Sequence, residues 1–351
     1  MLRLSLWSRL ILMVSLSLAG LPARAQTEAP PAPAANVAPE VAADTTADQA
    51  PLLDTILVTG QRPGPGLWKV SKGDHVLWVF GTYGPLPKNM EWRSQQVESI
   101  LAQSQEYLQP PGAHAEVGWL KQAAMLPFAI GFKKSPDGAR LKDLVPEPVY
   151  ARWLVLKAKY LGDDDGVERE RPIFAAATLY DKAINQAGLY EGELSRSLGK
   201  LIKQSGIKQT RTQVQLEVDD PVTMLREFKK TPLEDATCFA NTLARLEEDV
   251  DAMRVRANAW ARGDLAAIEK LSYADRRGAC NAAVLNSAVM QNRPGMRSIE
   301  ARMQERWLAA AEKSLAANTS TFATLSLNDL LDPKGYMAAL QARGYVVEKP
   351  E

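Results

Sequence analysis

The sequence predicts an α+β fold in which a mixed β-sheet is formed from N- and C-terminal strands, with a large helical middle region between them. Two observations carry this expectation. β-prone apolar runs gather near the two ends of the body, at Leu67 to Phe80 and at Thr321 to Glu348, whereas the residues between repeat their apolar side chains at helical spacing. Composition agrees: 351 residues that are 46% apolar and 24% charged have the balance of a globular chain, not of a disordered tail or a polytopic membrane protein.

The first 66 residues stand apart from that body. Arg3 and Arg9 precede the apolar run Leu10 to Leu21, and Ala23-Arg24-Ala25 offers small residues for cleavage, so residues 1–25 read as an export signal. A single membrane anchor is the alternative, although the run is shorter than the ~20 residues a spanning helix needs. Cleavage removes Arg3, Arg9 and Arg24 and takes the net charge from +1 to −2. Residues 26–66 form a Pro/Ala-rich linker. Residues 26–50 hold nine Ala and four Pro, with four acidic groups and no base, too little apolar surface to offset ordering entropy. Within the linker, Leu53 to Gly60 is a short β-prone segment, expected to pack on the body or to pair with another chain's edge.

The body, residues 67–348, opens with a hairpin, Leu67 to Val70 and Val76 to Phe80 split by Ser71-Lys72-Gly73-Asp74. A loop with Pro85 and Pro87 leads to a helix capped by Ser94, then a strand from Glu106 to Leu108 that stops at Pro110-Pro111. Val149, Trp153, Leu156 and Tyr160 put one apolar stripe on a helix from Pro148 to Tyr160. Further helices are expected over Pro172 to Gln186, Leu194 to Lys203, Pro221 to Lys229, Glu234 to Arg262, Leu265 to Tyr273, Ala282 to Met290 and Arg297 to Ala316. A brief strand at Val214 to Val218 interrupts them, and Gly263-Asp264 stops one helix and caps the next. The end repeats the opening pattern: strand Thr321 to Leu325, a loop, a helix from Pro333 or Gly335 to Ala342, and strand Tyr345 to Glu348. Strands at both ends suggest one closed sheet in a single domain.

Residue counts restrict the chemistry. Two His and two Cys exclude multi-His metal cages and Cys-rich zinc modules, and 42 basic against 41 acidic side chains without a basic run give no nucleic-acid signature. There is no Gly-x-Ser-x-Gly elbow, P-loop or His-Glu-x-x-His. Gly64-Pro65-Gly66 lacks what dinucleotide binding requires and reads as a rigid spacer. His75 and His114 read as exposed loop or strand-edge residues. Asp163-Asp164-Asp165-Gly166-Val167-Glu168 lacks EF-hand spacing and reads as a solvated helix-start cap. In an oxidising compartment Cys238 and Cys280 are expected to pair, closing a loop of about 43 residues worth about 4 kcal/mol; two buried free thiols are the alternative.

Several motifs stand in a fixed order: Leu67-Trp68-Lys69-Val70, Val76-Leu77-Trp78-Val79-Phe80-Gly81-Thr82, Leu86-Pro87-Lys88, Trp92-Arg93-Ser94, Arg171-Pro172, Leu216-Glu217 and Ala259-Trp260-Ala261-Arg262-Gly263-Asp264. Phe322, Leu330-Leu331, Pro333, Gly335 and Ala342-Arg343-Gly344-Tyr345 complete the series. Together they resemble the TraB/GumN family over residues 67–348. The resemblance implies a two-part α/β fold related to the Tiki metalloproteases and the erythromycin-esterase group. Tiki-like members carry two Gly-x-x-His motifs, a Glu ending an early strand and an Arg-Asn pair at a helix start, which hold a divalent ion that activates water.

This sequence departs at each place. The first motif reads Gly81-Thr82-Tyr83-Gly84 and the second Ser326-Leu327-Asn328-Asp329; the strand-ending carboxylate appears as Gln109, and the pair as Asn292-Arg293. Gly81, Gly84, Gln109, Arg293, Ser326 and Asp329 are thus degenerate former-site positions, and family-type metalloprotease activity is expected to be absent. The leading expectation is an exported, catalytically inactive relative that binds or scaffolds in the cell envelope, with no cofactor. A divergent hydrolase or peptidase is the alternative, using Asp329 with Glu106 or Tyr83, and in one version a hard divalent cation between Asp329 and Glu106. A third reading is an envelope adaptor that docks residues 53–60 on a partner protein.

Overall fold

The computed structural model describes residues 65–247, 250–270 and 276–350. The export signal, the linker and the β-prone segment at 53–60 lie outside the described residues, as do the middle of the Glu234 to Arg262 helix and the end of the Leu265 to Tyr273 helix. Ten strands occur in the order β1 (Leu67–Lys72), β2 (His75–Thr82), β3 (Leu86–Pro87), β4 (Glu106–Leu108), β5 (Ala113–Ala115), β6 (Leu189–Tyr190), β7 (Lys208–Thr210), β8 (Val214–Leu216), β9 (Ser320–Ser326) and β10 (Val346–Glu348). Six of them build the main sheet, in the spatial order β10-β1-β2-β9-β4-β7.

The fold class is α+β, with a mixed sheet from N- and C-terminal strands around a large helical middle. β1 and β2 form the expected hairpin, turning at Gly73-Asp74 where Gly73 takes a positive φ of 64°. β10 pairs antiparallel with β1, whereas β2, β9, β4 and β7 all run parallel. The sheet is open rather than closed: β10 and β7 are its edges, and β7 comes from the middle of the chain. β9 is buried from Thr321 to Ser326, consistent with a parallel strand covered on both faces.

Apolar residues divide between two large cores. One lies on the sheet and gathers Trp68, Leu77, Phe80, Trp260, Trp307 and Phe322. The other is helical and gathers Trp153, Leu156, Leu179, Phe239 and Leu243 from the helices Glu147–Tyr160, Pro172–Gln186 and Ala236–Glu247. The predicted stripe on the first of these helices faces that core, with Trp153 fully buried and Val149 at its margin. In the Asp163–Glu168 segment, Asp163 to Gly166 are exposed and Asp164 Oδ1 accepts from Gly166 N (2.8 Å) at the start of a short turn, as expected of a solvated cap, but Glu168 is not part of it. Glu168 is 2% exposed and accepts from Trp153 Nε1 (2.9 Å) and Tyr150 Oη (3.2 Å), with Lys157 Nζ 3.2 Å away. A carboxylate removed from water must be partnered, and an aromatic helix face supplies the partners.

Four further readings change. The expected helix Ala282 to Met290 is two, Arg276–Leu285 and Ala288–Gln291, because Ser287 is extended and its hydroxyl bonds the Val284 carbonyl (2.6 Å). The Val214 strand pairs with β5, outside the main sheet. The loop after β9 holds a short helix, Leu327–Leu331. His75 and His114 are half-buried, not exposed; His75 Nδ1 donates to the Leu315 carbonyl at 2.6 Å. Gly263, with φ 71°, ends one helix and Asp264 accepts from Ala267 N (3.1 Å), as expected.

Cys238 and Cys280 are bridged, joining the Ala236–Glu247 helix to the Arg276–Leu285 helix. A Cys238→Ser, Cys280→Ser variant is expected to lose about 2–4 kcal/mol, a fall in Tm of roughly 5–15 °C. Thermal unfolding without reductant measures it, and an unchanged Tm would refute the bridge's contribution.

Candidate functional site

Four parallel strands end at one edge, the usual place for a site in such sheets. Pairing registers fix which residues meet there. Gly81 lies opposite Leu325 and Thr82 opposite Ser326, while Leu108 lies opposite Ala323. The turn Gly81–Gly84, Gln109 and the segment Ser326–Asp329 therefore leave the sheet from adjacent strands at the same edge. Most of the former-site positions converge in space, although they are far apart in sequence.

The framework beneath them is tightly packed. Trp260 Nε1 donates to the Gly81 carbonyl (2.8 Å), and its ring packs with Trp92 and Phe80 at centroid distances of 5.9 and 6.1 Å. A Cβ on Gly81 would fall 2.8 Å from both Trp68 and Leu327 side-chain atoms, so the glycine is required by close approach. Arg171, 2% exposed, donates to the carbonyls of Thr231 (2.9 Å), Lys229 (3.0 Å) and Lys134 (3.3 Å), which makes Arg171-Pro172 a clamp between segments.

The polar groups at the edge are already committed. Ser326 caps the Leu327–Leu331 helix; its hydroxyl accepts from Asp329 N (3.1 Å) and donates to Asp329 Oδ2 (2.7 Å). Gln109 is bound through its backbone, its carbonyl accepting from Thr212 Oγ1 (2.7 Å), and its amide reaches Gln209 at 3.5 Å. Beside Gly84 stands Glu191, which the sequence reading passed over: its Oε2 is 3.1 Å from where a Cβ on Gly84 would be. Tyr180 Oη donates to Glu191 Oε1 (2.7 Å), and burial, reinforced by that carboxylate, raises the Tyr180 pKa so that the phenol stays a donor. Tyr83 follows β2 and packs half-buried on the sheet core.

Two positions lie elsewhere. Arg293 Nη2 pairs with Glu227 (2.6 Å), and its Nη1 bonds the Val289 carbonyl. Glu106 begins β4, opposite Thr321, at the amino end of the parallel strands. From Thr321 to Ser326 is about 16 Å of strand at ~3.3 Å per residue, so Glu106 and Asp329 do not form a carboxylate pair.

Glu106 is instead an internal clamp, 7% exposed. It accepts from Thr210 Oγ1, Ser314 Oγ (2.7 Å) and Asn318 Nδ2 (3.0 Å), with Lys208 Nζ at 3.0 Å. Burial alone would raise its pKa, but the bonds from Thr210, Ser314, Lys208 and Asn318 outweigh it and hold the carboxyl down at about 2.

The metal implied by the resemblance needs several donors aimed at one point. Gly84 supplies none, Gln109 only an amide, and the carboxylates of Asp329 and Glu191 are each bonded to a hydroxyl. Among the described residues no three His, Cys, Asp or Glu side chains gather at metal-holding distance. These residues do not fit such an ion.

The Glu106 clamp makes stability depend on pH. Its folded pKa lies below its unfolded value, so its contribution is complete above about pH 4.5 and is lost as pH falls toward 2. Glu106→Gln is expected to cost on the order of 2–3 kcal/mol at neutral pH, with the gap to wild type narrowing below pH 4.5. Urea unfolding of both proteins across that range tests this; a pH-independent gap would count against it.

A family model described as the TraB/PrgY/gumN family matches residues 66–349. Comparison with curated proteins gave no match, and comparison with solved structures gave none.

Proposed function

The chain belongs to the TraB/PrgY/gumN family, and from that premise we propose that it is an exported, catalytically inactive member acting as a binding or scaffold protein in the cell envelope. One observation carries the reading: positions that meet at the carboxyl edge of the parallel strands bear groups unable to hold an ion together. A hydrolase of the implied type activates water on a divalent ion. Here the two nearby carboxylates are satisfied by Ser326 and Tyr180, and the neighbouring positions are Gly84 and Gln109.

What remains on this reading is the frame of the sheet edge. Trp260 and Gly81 hold it in place, so replacing the ligands leaves the frame to bind a peptide or an envelope protein. Export is supported by the apolar run after Arg3 and Arg9 and by the Cys238–Cys280 bridge, a linkage that persists in oxidising compartments.

Titrating the purified mature protein with Mn, Co or Zn is expected to give no stoichiometric tight binding and no metal-dependent peptide cleavage. Both together would overturn the proposal. For export, mass spectrometry of the periplasmic fraction is expected to find a chain that begins at Gln26. A full-length chain retained in the membrane fraction would contradict signal cleavage.

A further inference from the structure

The helix Trp119–Ala129 differs from every other long helix described, because none of its residues is buried. Its sequence is nonetheless strongly apolar. Trp119, Ala123, Leu126 and Ile130 step by four, three and four, which places them on one helical face. That face points to water: Trp119 is 74% exposed and Ile130 77%, and Leu120 and Leu126 are exposed beside them. The opposite side rests on the Pro221–Lys230 helix, where the Arg226 guanidinium lies 4.1 Å above the Phe128 ring and Lys229 Nζ donates to the Ile130 carbonyl (2.9 Å). A water-facing stripe of this kind on a folded domain marks a surface awaiting an apolar partner.

Charge decides what that partner is. Residues 119–134 contain Lys121, Lys133 and Lys134 and no carboxylate. Lys121 Nζ is held on the supporting side by the Asp219 carbonyl (2.8 Å) and Lys133 lies near Glu170, which leaves Lys134 as the segment's exposed cation not so held. On the supporting helix, Arg226, Lys229 and Lys230 add to the basic rim; its one carboxylate, Glu227, is neutralised by Arg293 (2.6 Å). Asp219 and Asp220 stand just before that helix, and Asp220 is spent on capping it, accepting from Thr223 N (2.9 Å). A second copy docking through the same face would bring like charges together. An apolar stripe with Trp at its start and a cationic rim fits the boundary of a bilayer whose headgroups are negative.

We propose that this helix is a membrane-surface anchor: Trp119, Leu120, Leu126 and Ile130 enter the headgroup boundary of an anionic phospholipid bilayer while the exposed Lys134 and Lys230 pair with its phosphates. The attachment lies in the plane of the membrane. No helix among the described residues is long and apolar enough to cross one. Each base near such a surface adds to the attraction, and the binding weakens as salt rises. This inference is independent of whether the sheet edge binds metal.

Flotation of the mature protein with vesicles of phosphatidylglycerol and phosphatidylcholine in equal parts tests it. Wild type is expected to float with these vesicles, and to do so much less with pure phosphatidylcholine or at high salt. A Trp119→Ser, Leu126→Ser, Ile130→Ser variant is expected to lose binding by roughly tenfold or more, with an unchanged thermal melt because the removed side chains are exposed. Lys134→Glu with Lys230→Glu is expected to weaken flotation severalfold and to remove most of its salt dependence. Absence of wild-type flotation, or equal flotation of the triple variant, would overturn the proposal. So would sedimentation showing a wild-type dimer that the triple variant turns into monomers, since the stripe would then serve a second copy.

Discussion

The arrangement of the domain rests on β9. This strand, from the C-terminal part of the chain, lies between β2 and β4 and is parallel to both. Parallel neighbours cannot be joined by a tight turn and require long crossovers; here helices supply them. With β7 also parallel to β4, four strands end at one edge, and their convergence there is a product of backbone direction before any side chain is considered. That explains how the site's chemistry can change without disturbing its shape. The close approach at Gly81 and the Trp260 bond to its carbonyl belong to the sheet and its aromatic support, not to the reacting groups.

The carboxylates near the two ends of the strands also show how such side chains are stabilised by the scaffold itself. A carboxylate held away from bulk water needs donors. Asp329 finds one in the Ser326 hydroxyl and Glu191 in the Tyr180 phenol. Glu106, at the other end of the strands, collects four. Each carboxylate is therefore tied to the scaffold, where it organises helix caps and strand ends.

Much of this was legible in the sequence because it is local. Alternating apolar runs with Gly73 at the turn give the first hairpin, and Pro172, Ser94 and Gly263-Asp264 mark helix ends by local geometry and capping. The resemblance singled out Gly84, Gln109 and Ser326, and the strands that precede Gly84 and Gln109 pair with β9, which ends at Ser326. Other features depend on distant partners. Glu168 looked like part of a solvated acidic run because its donors, Trp153, Tyr150 and Lys157, come from the preceding helix. Glu106 looked available for chemistry because Ser314 and Asn318 lie more than 200 residues away. The helix after β9 had a readable signal, Ser326 followed three residues later by Asp329, an acidic variant of the capping box. Its reading as a degraded motif hid that simpler use.

The two cores differ in how far apart along the chain their contacts are made. Around Glu168 the partners lie 15 and 18 residues away, whereas β2 meets β9 across some 240 positions. Closing a long loop costs more entropy and slows the search. The helical half is therefore able to form while the ends of the chain are still apart, and the sheet completes only when its penultimate strand has been synthesised. Until then β2 and β4 each present an unpaired parallel edge, so the nascent chain carries its greatest risk of mispairing late in synthesis rather than early.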